Sequence, residues 1–279
     1  MKKIYQSIKD TVIYSNQYLQ NSFADITDWL LDRQEEMTPP KRLTFNVGTS
    51  FKKAGTKLIQ HLIEPGGMKQ SDRVLDVGCG IGRVAVPLTK YLNEQGSYEG
   101  FDIVAKSIDW CRKNITQKYP NFHFQVADIY NKQYNPKGKY ISSRYRFPYD
   151  DKSFDFVFLT SVFTHMLPQD VDNYLSEISR VLKTDKKCLL TFFLINEESL
   201  KATEDRKSVP IFEFKSEGFR TISEATPERA IAYDEELVLK LCKKHKLDVV
   251  EPIHYGLWCG RKSFLSYQDI IIVRRSPVL

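Results

Sequence analysis

The chain has 279 residues, room for one large domain or two small ones, and is 42% hydrophobic and 27% charged with a formal net charge of +6. This is ordinary globular material with ample core, and so modest a charge does not by itself indicate a nucleic-acid partner. Five cysteines (Cys79, Cys111, Cys188, Cys242, Cys259) include no C-x-x-C pair, which argues against a disulfide framework or zinc site and for a reducing, cytoplasmic setting. No apolar run approaches the roughly 18 residues of a membrane span, and Met1-Lys2-Lys3 is not followed by a signal-peptide core.

Residues 1–45 read as an N-terminal helical extension. Ile4, Ile8 and Val12 recur at helical spacing, Trp29, Leu30 and Leu31 make a second apolar patch, and Pro39-Pro40 ends the region. Packing on the core or on a neighbouring subunit is the simpler expectation, with a membrane-surface role as the alternative. From residue 46 onward the chain reads as one domain. A helix through Lys57–Ile63 stops at Gly66-Gly67, and strands are expected at 73–77, 97–102, 122–127, 154–160, 187–195, 247–254 and 268–274. Strands alternating with helix-length segments point to a parallel sheet covered on both faces, and the last two strands to an antiparallel pair. Two stretches interrupt the alternation: a tyrosine-rich basic loop at 131–150 and an insertion at about 197–233, each a candidate substrate wall.

The most informative stretch is Val74-Leu75-Asp76-Val77-Gly78-Cys79-Gly80-Ile81-Gly82-Arg83. It reads as an apolar strand bearing an acid, then glycines at alternate positions, then a helix start. Glycines at a strand-to-helix turn let the backbone bend tightly and approach a ligand. The spacing is G-x-G-x-G, not the dinucleotide G-x-G-x-x-G. Asp76 is poorly suited to an anionic pyrophosphate and well suited to an ammonium. The stretch resembles the first motif of the class I S-adenosylmethionine-dependent methyltransferases. That resemblance implies a Rossmann-like, doubly wound, mostly parallel seven-stranded sheet with an antiparallel last strand, S-adenosyl-L-methionine as cofactor and S-adenosyl-L-homocysteine as product. It also assigns Asp76 to the methionine ammonium and the turn Gly78, Cys79, Gly80 and Gly82 to the cofactor, and makes the extension at 1–45 a candidate lid over the active site.

The same resemblance extends to the next strand ends. Asp102, in Tyr98-Glu99-Gly100-Phe101-Asp102-Ile103, matches the ribose-binding acid, since a carboxylate accepts from two hydroxyls at once, and Ile103 matches the apolar residue beside the adenine. The alternative for Asp102 is a helix N-cap. Asp128 matches the acid at the adenine amino group, with Ile129 supplying its backbone N–H. Thr160 and Ser161, after the fourth strand, would line the methionine end. His165 lies just beyond and is the candidate general base, with a packing role as its alternative. Tyr255, Trp258 and Arg261 are candidate acceptor contacts, against a turn anchored by a buried tryptophan.

No N-P-P-Y-type motif follows the fourth strand, which speaks against amino methylation by that route, and no Pro-Cys dipeptide, which speaks against pyrimidine C5 chemistry. Asp172-Asn173 lies in the helix between the fourth and fifth strands and Thr160-Ser161 stands where metal-dependent relatives have an aspartate, so no metal is expected. The expected activity is methyl transfer to a small-molecule or glycan hydroxyl. An RNA or protein methyltransferase is the alternative, favoured if Lys132, Lys137, Lys139, Arg144 and Arg146 form a basic face. A catalytically inactive scaffold with the same fold is the third.

Overall fold

In a computed structural model of the chain, the described residues are 36–44, 51–132 and 134–277, with part of a helix between 17 and 28. The apolar positions Ile4, Ile8, Val12 and Trp29–Leu31 lie outside them. What is described of the extension is held together from within. Buried Asp25 accepts the backbone N–H groups of Lys41 (2.6 Å) and Arg42 (3.2 Å) and the Arg42 guanidinium (3.0 Å). No helix among the described residues is long and apolar enough to cross a membrane.

The helix Phe51–Ile63 (α1) leads into β1 (Arg73–Val77). The chain continues through α2 (Ala85–Leu88), β2 (Ser97–Asp102), α3 (Ala105–Cys111), β3 (Phe122–Val126), β4 (Phe154–Leu159), α4 (Pro168–Val181) and β5 (Leu182–Phe192). After β5 come β6 (Leu194–Ile195), α5 (Glu197–Glu204), β7 (Phe214–Ser216), β8 (Phe219–Thr221) and β9 (Ile231–Asp234). The chain finishes with α6 (Glu235–Lys244), β10 (Leu247–His254) and β11 (Asp269–Arg275). Seven strands form one sheet in the order β10-β11-β5-β4-β1-β2-β3. β11 runs antiparallel to both β5 and β10, and the remaining neighbours are parallel, as the resemblance implied.

β1 shows how sequence becomes position. Every residue after Arg73 is buried, as a strand covered on both faces requires. Leu75 and Val77 join the layer containing Leu175 and Ile178 of α4, whereas Val74 joins Leu62 of α1 and Ile108 of α3 in the opposite layer. The two-residue period puts Asp76 on Val74's side, so a carboxylate is delivered into an apolar layer at the strand's carboxyl end. β1 pairs with β2 on one side and β4 on the other. The chain works outward to β3 and returns to β4, so the strand order reverses at the β1/β4 junction, where doubly wound sheets bind ligands.

The fifth strand departs from expectation. The fifth strand was expected over 187–195, yet β5 ends at Phe192 and β6 belongs to another sheet. The Asp269 carboxylate accepts the Leu194 N–H at 2.7 Å, drawing the chain out of the main sheet's ladder. The 197–233 insertion has secondary structure of its own. With β6 it builds α5 and a second sheet, β6-β9-β8-β7, over an apolar cluster that includes Phe193, Phe212 and Trp258. Asn196 caps α5, accepting from the Ser199 N–H at 3.1 Å while its own N–H donates to Ser199 Oγ at 2.9 Å.

Candidate active site

Asp76 is 1% exposed. Its Oδ2 accepts the Tyr98 hydroxyl at 2.7 Å, and its Oδ1 is buried without a hydrogen-bond partner. Burial pushes the carboxyl up to about 7; the Tyr98 hydrogen bond and the Arg83 charge oppose the rise, and the Asp102 charge adds to it. A buried acceptor left unpaired is costly, and a donor supplied by a ligand removes the cost.

The turn beside Asp76 is shaped by close approach. Gly78 has φ 80°, and a methyl group there would lie 2.4 Å from Val162 Cγ2 in the turn after β4. Only glycine permits both. At Gly80 (φ 54°) an added methyl would meet nothing within 4 Å, so this backbone borders open space. Gly78 and Cys79 donate to the Phe101 carbonyl at 2.9 and 3.1 Å, lashing the turn to β2.

Asp102 fixes the other side of that turn. Its Oδ2 accepts the Gly80 N–H and its Oδ1 the Val104 N–H, each at 2.8 Å. A carboxylate offers about four lone-pair sites, so two remain for the paired hydroxyls of a ribose. Asp102 is not the N-cap of α3, since that position is Val104. Ile103 is half-buried beside it. Asp128 lies beyond the end of β3, half-buried, with Lys139 Nζ 3.7 Å from its Oδ2. The Ile129 side chain is buried, and its N–H, expected to serve the adenine, donates to the Ala127 carbonyl at 2.8 Å.

At the β4 end, Thr160 is half-buried and Ser161 has φ 59°, a left-handed backbone uncommon for serine. Ser161 is held there by its N–H to Thr191 Oγ1 (2.8 Å) and its hydroxyl to Gln268 Oε1 (3.1 Å). Gln268 immediately precedes β11, whose antiparallel direction brings its first residue to the carboxyl edge of β5. Sequence reasoning missed this glutamine. His165 closes a helical turn, Phe163–His165, with Nδ1 2.9 Å from the Glu228 carbonyl and its ring edge-on to Tyr134 at 6.2 Å. A carbonyl only accepts, so Nδ1 carries the proton and Nε2 is the ring's basic atom. Burial lowers the histidine below its ordinary value, and hydrogen bonding to the Glu228 and Arg229 carbonyls partly offsets this.

The candidate acceptor contacts at the C-terminal end are held otherwise. Trp258 is 1% exposed, and its indole N–H donates to Asp269 Oδ2 at 2.7 Å. Arg261 is buried and committed to Glu198 (2.7 Å) and Asp269 (3.2 Å). Both belong to the second cluster's framework, with no guanidinium or indole face turned over to an acceptor, so the buried-tryptophan reading describes them better. Tyr255 donates its hydroxyl to Glu235 Oε1 at 2.9 Å and carries the Arg261 guanidinium 4.8 Å above its ring. The centre of this framework is Asp269, fully buried, which also accepts the Gly256 N–H at 2.6 Å. Asp172, weighed as a metal ligand, instead binds Lys244 (2.7 Å) and His245 (2.6 Å). A hollow of about 480 Å³ is lined by Arg146–Asp151, the stretch that precedes β4, and by none of the residues named for the cofactor.

A glycine turn between a buried carboxylate with one unpartnered oxygen and a second carboxylate, at the switch point of a seven-stranded sheet, is an arrangement of the class I methyltransferase fold. The chain belongs to the methyltransferase-domain family, whose model matches residues 68–217, more than half of it. Among curated relatives, the tRNA N(3)-cytidine methyltransferase of Gallus gallus is 29% identical over 138 residues, 49% of this chain and 34% of that protein. The demethylmenaquinone methyltransferase of Lactobacillus johnsonii is 32% identical over 120 residues, 43% of each chain. The matched part thus spans less than half the length of these relatives. The same fold occurs in a SAM-dependent methyltransferase from Methanosarcina mazei (TM-score 0.53, 22% identity, 77% of this chain and 98% of that one). It occurs also in magnesium protoporphyrin IX methyltransferase from Synechocystis, solved with bound S-adenosylhomocysteine (TM-score 0.51, 15% identity, 96% of this chain and 100% of that one). The orphaned Asp76 oxygen, the open space at Gly80 and the remaining acceptor capacity of Asp102 all fit S-adenosylmethionine.

Proposed function

We propose that this chain methylates a hydroxyl group of a small-molecule or glycan acceptor, using S-adenosylmethionine. The observation that carries the hydroxyl is His165. Its Nδ1 is fixed as a donor to the Glu228 carbonyl and its affinity for protons is lowered, so at neutral pH the ring is uncharged and able to take one. The bound cofactor supplies a methyl group already activated on a sulfonium. The residues of this chain then bind, align and move a proton. Asp76 and the Gly78–Gly82 turn hold the methionine end, and Asp102, Ile103 and Asp128 hold the adenosine end. Thr160 and Ser161 line the approach, and His165 removes the acceptor's hydroxyl proton through Nε2.

A second reading, an RNA acceptor, is favoured by the exposed Tyr130, Tyr134 and Tyr140 beyond β3, since bases stack on aromatic rings. Against it, the expected basic face is partly taken up. Lys132 donates to the Ala225 carbonyl (3.2 Å), Lys139 lies 3.7 Å from Asp128, and Arg146 lies 3.9 Å from Asp151.

The test is calorimetric titration with S-adenosylmethionine and S-adenosylhomocysteine, followed by transfer of labelled methyl to hydroxyl-bearing acceptors. Binding of both and label recovered as an ether support the proposal, with His165→Ala lowering turnover about a hundredfold or more at unchanged cofactor affinity. Label on RNA, with salt-sensitive binding, selects the second reading. A folded chain that binds neither ligand is the scaffold.

A further inference from the structure

We propose that Arg83 receives the α-carboxylate of the methyl donor, so that Asp76 and Arg83 together form a site for a zwitterionic amino-acid head group. The inference rests on the cofactor reading above and adds a residue to it.

Arg83 ends the glycine turn and is half-buried between the buried residues Gly82 and Val84. Its backbone is fixed from outside the turn: α1 passes so close that a methyl group on Gly55 would lie 2.2 Å from the Arg83 carbonyl oxygen. The guanidinium itself has no hydrogen bond or ion pair among the described residues. Two other arginines are answered within the chain. Arg180 is matched to Glu177 at 2.6 Å and Asp151 at 2.8 Å, and Arg261 to Glu198 at 2.7 Å and Asp269 at 3.2 Å. A guanidinium withdrawn from water without acceptors carries an uncompensated desolvation cost, which a ligand anion removes.

The neighbour determines which anion. Arg83 stands at the opposite end of the glycine turn from the buried Asp76 carboxylate, and no ion pair joins the two. Asp76 Oδ1 lacks a donor while Arg83 lacks an acceptor. A simple anion such as phosphate would satisfy Arg83 and be repelled by Asp76, and a simple cation would meet the reverse. A ligand carrying an ammonium and a carboxylate on one carbon satisfies both. Arginine also suits the planar carboxylate, which it can bind through two parallel N–H donors.

The experiment compares two ligands on the full chain by calorimetry: S-adenosylhomocysteine and 5′-methylthioadenosine, which keeps the adenosine and sulfur but has no amino-acid head. Arg83→Gln is expected to weaken S-adenosylhomocysteine roughly 10- to 100-fold and to leave methylthioadenosine within about twofold. The melting temperature of the ligand-free variant should not fall, because the residue removed has no partner to lose. Arg83→Lys, which keeps a charge without the planar fork, should lose less, and it carries the same ligand comparison if the glutamine variant does not fold. Unchanged S-adenosylhomocysteine affinity, or an equal loss for both ligands, overturns the assignment of Arg83. A wild-type chain that binds neither ligand overturns the cofactor reading itself.

Discussion

The two ends of the ligand edge treat buried polar groups in opposite ways. Around Asp269 every charge is answered from within the chain: its carboxylate takes donors from Leu194, Gly256, Trp258 and Arg261. Around Asp76 the accounts stay open. One carboxylate oxygen lacks a donor, and a nearby guanidinium lacks an acceptor. Both carboxylates are raised above their ordinary range by burial, so a perturbed acid alone does not separate a framework from a site. What separates them is whether the protein completes the hydrogen bonding itself. Completed networks hold segments together, and incomplete ones await a ligand.

The largest effect should come from breaking the complete network. Asp269→Ala takes from the buried Arg261 guanidinium one of its two carboxylates and frees several buried donors, and it should cost about 3–5 kcal/mol in urea unfolding. A loss under about 1 kcal/mol would show that the network is less of a hub than its geometry suggests. In the incomplete network, Asp102→Ala should weaken S-adenosylhomocysteine roughly 10- to 100-fold in calorimetry while the circular dichroism spectrum is retained. Unchanged affinity would remove Asp102 from the ribose site.

The pH response of Asp76 is the next test. Its folded-state value of about 7 lies above its ordinary value, so the ligand-free fold loses stability as pH rises from the ordinary carboxyl range through 7. Ligand affinity moves the other way, because an ammonium prefers the ionised acid. Affinity should therefore fall on acidifying below 7, by at most about tenfold per pH unit, and Asp76→Asn should flatten that dependence. A wild-type profile as flat as the variant's would contradict the pairing with an ammonium. The smallest effect is expected at Tyr255→Phe, which removes one hydrogen bond to Glu235 and should cost roughly 0.5–1.5 kcal/mol of stability. Lost turnover with stability intact would instead move Tyr255 into the acceptor site.

The main sheet and its cofactor edge were readable because each carries a local signal. β1 and β4 are largely apolar, β3 alternates Phe122, Phe124 and Val126 with polar residues, and the three candidate site acids each stand close to a strand end. β7 and β8 have three residues each, too few for alternation to register, so the second sheet was invisible as such. Asp269 looks like any acid before an apolar run. Its partners Leu194 and Trp258 lie 75 and 11 residues away, and no spacing rule links them. Trp258 and Arg261 were drawn toward the acceptor by residue type, whereas a buried carboxylate claims them both. Arg83 was in plain view at the end of the glycine motif. Its significance lies in what fails to pair with it, and only coordinates reveal that.

The position of β11 governs the order in which the sheet can close. Its partner β5 is finished at Phe192, yet β11 begins only at Asp269, and β10 joins the sheet solely through β11. During synthesis the far edge of β5 therefore waits, its backbone donors and acceptors unclaimed, while the intervening segment is made. A long apolar edge held open in this way invites pairing with other chains. Truncations that stop before residue 269 should accordingly aggregate, even though every residue proposed to hold the cofactor is already in place.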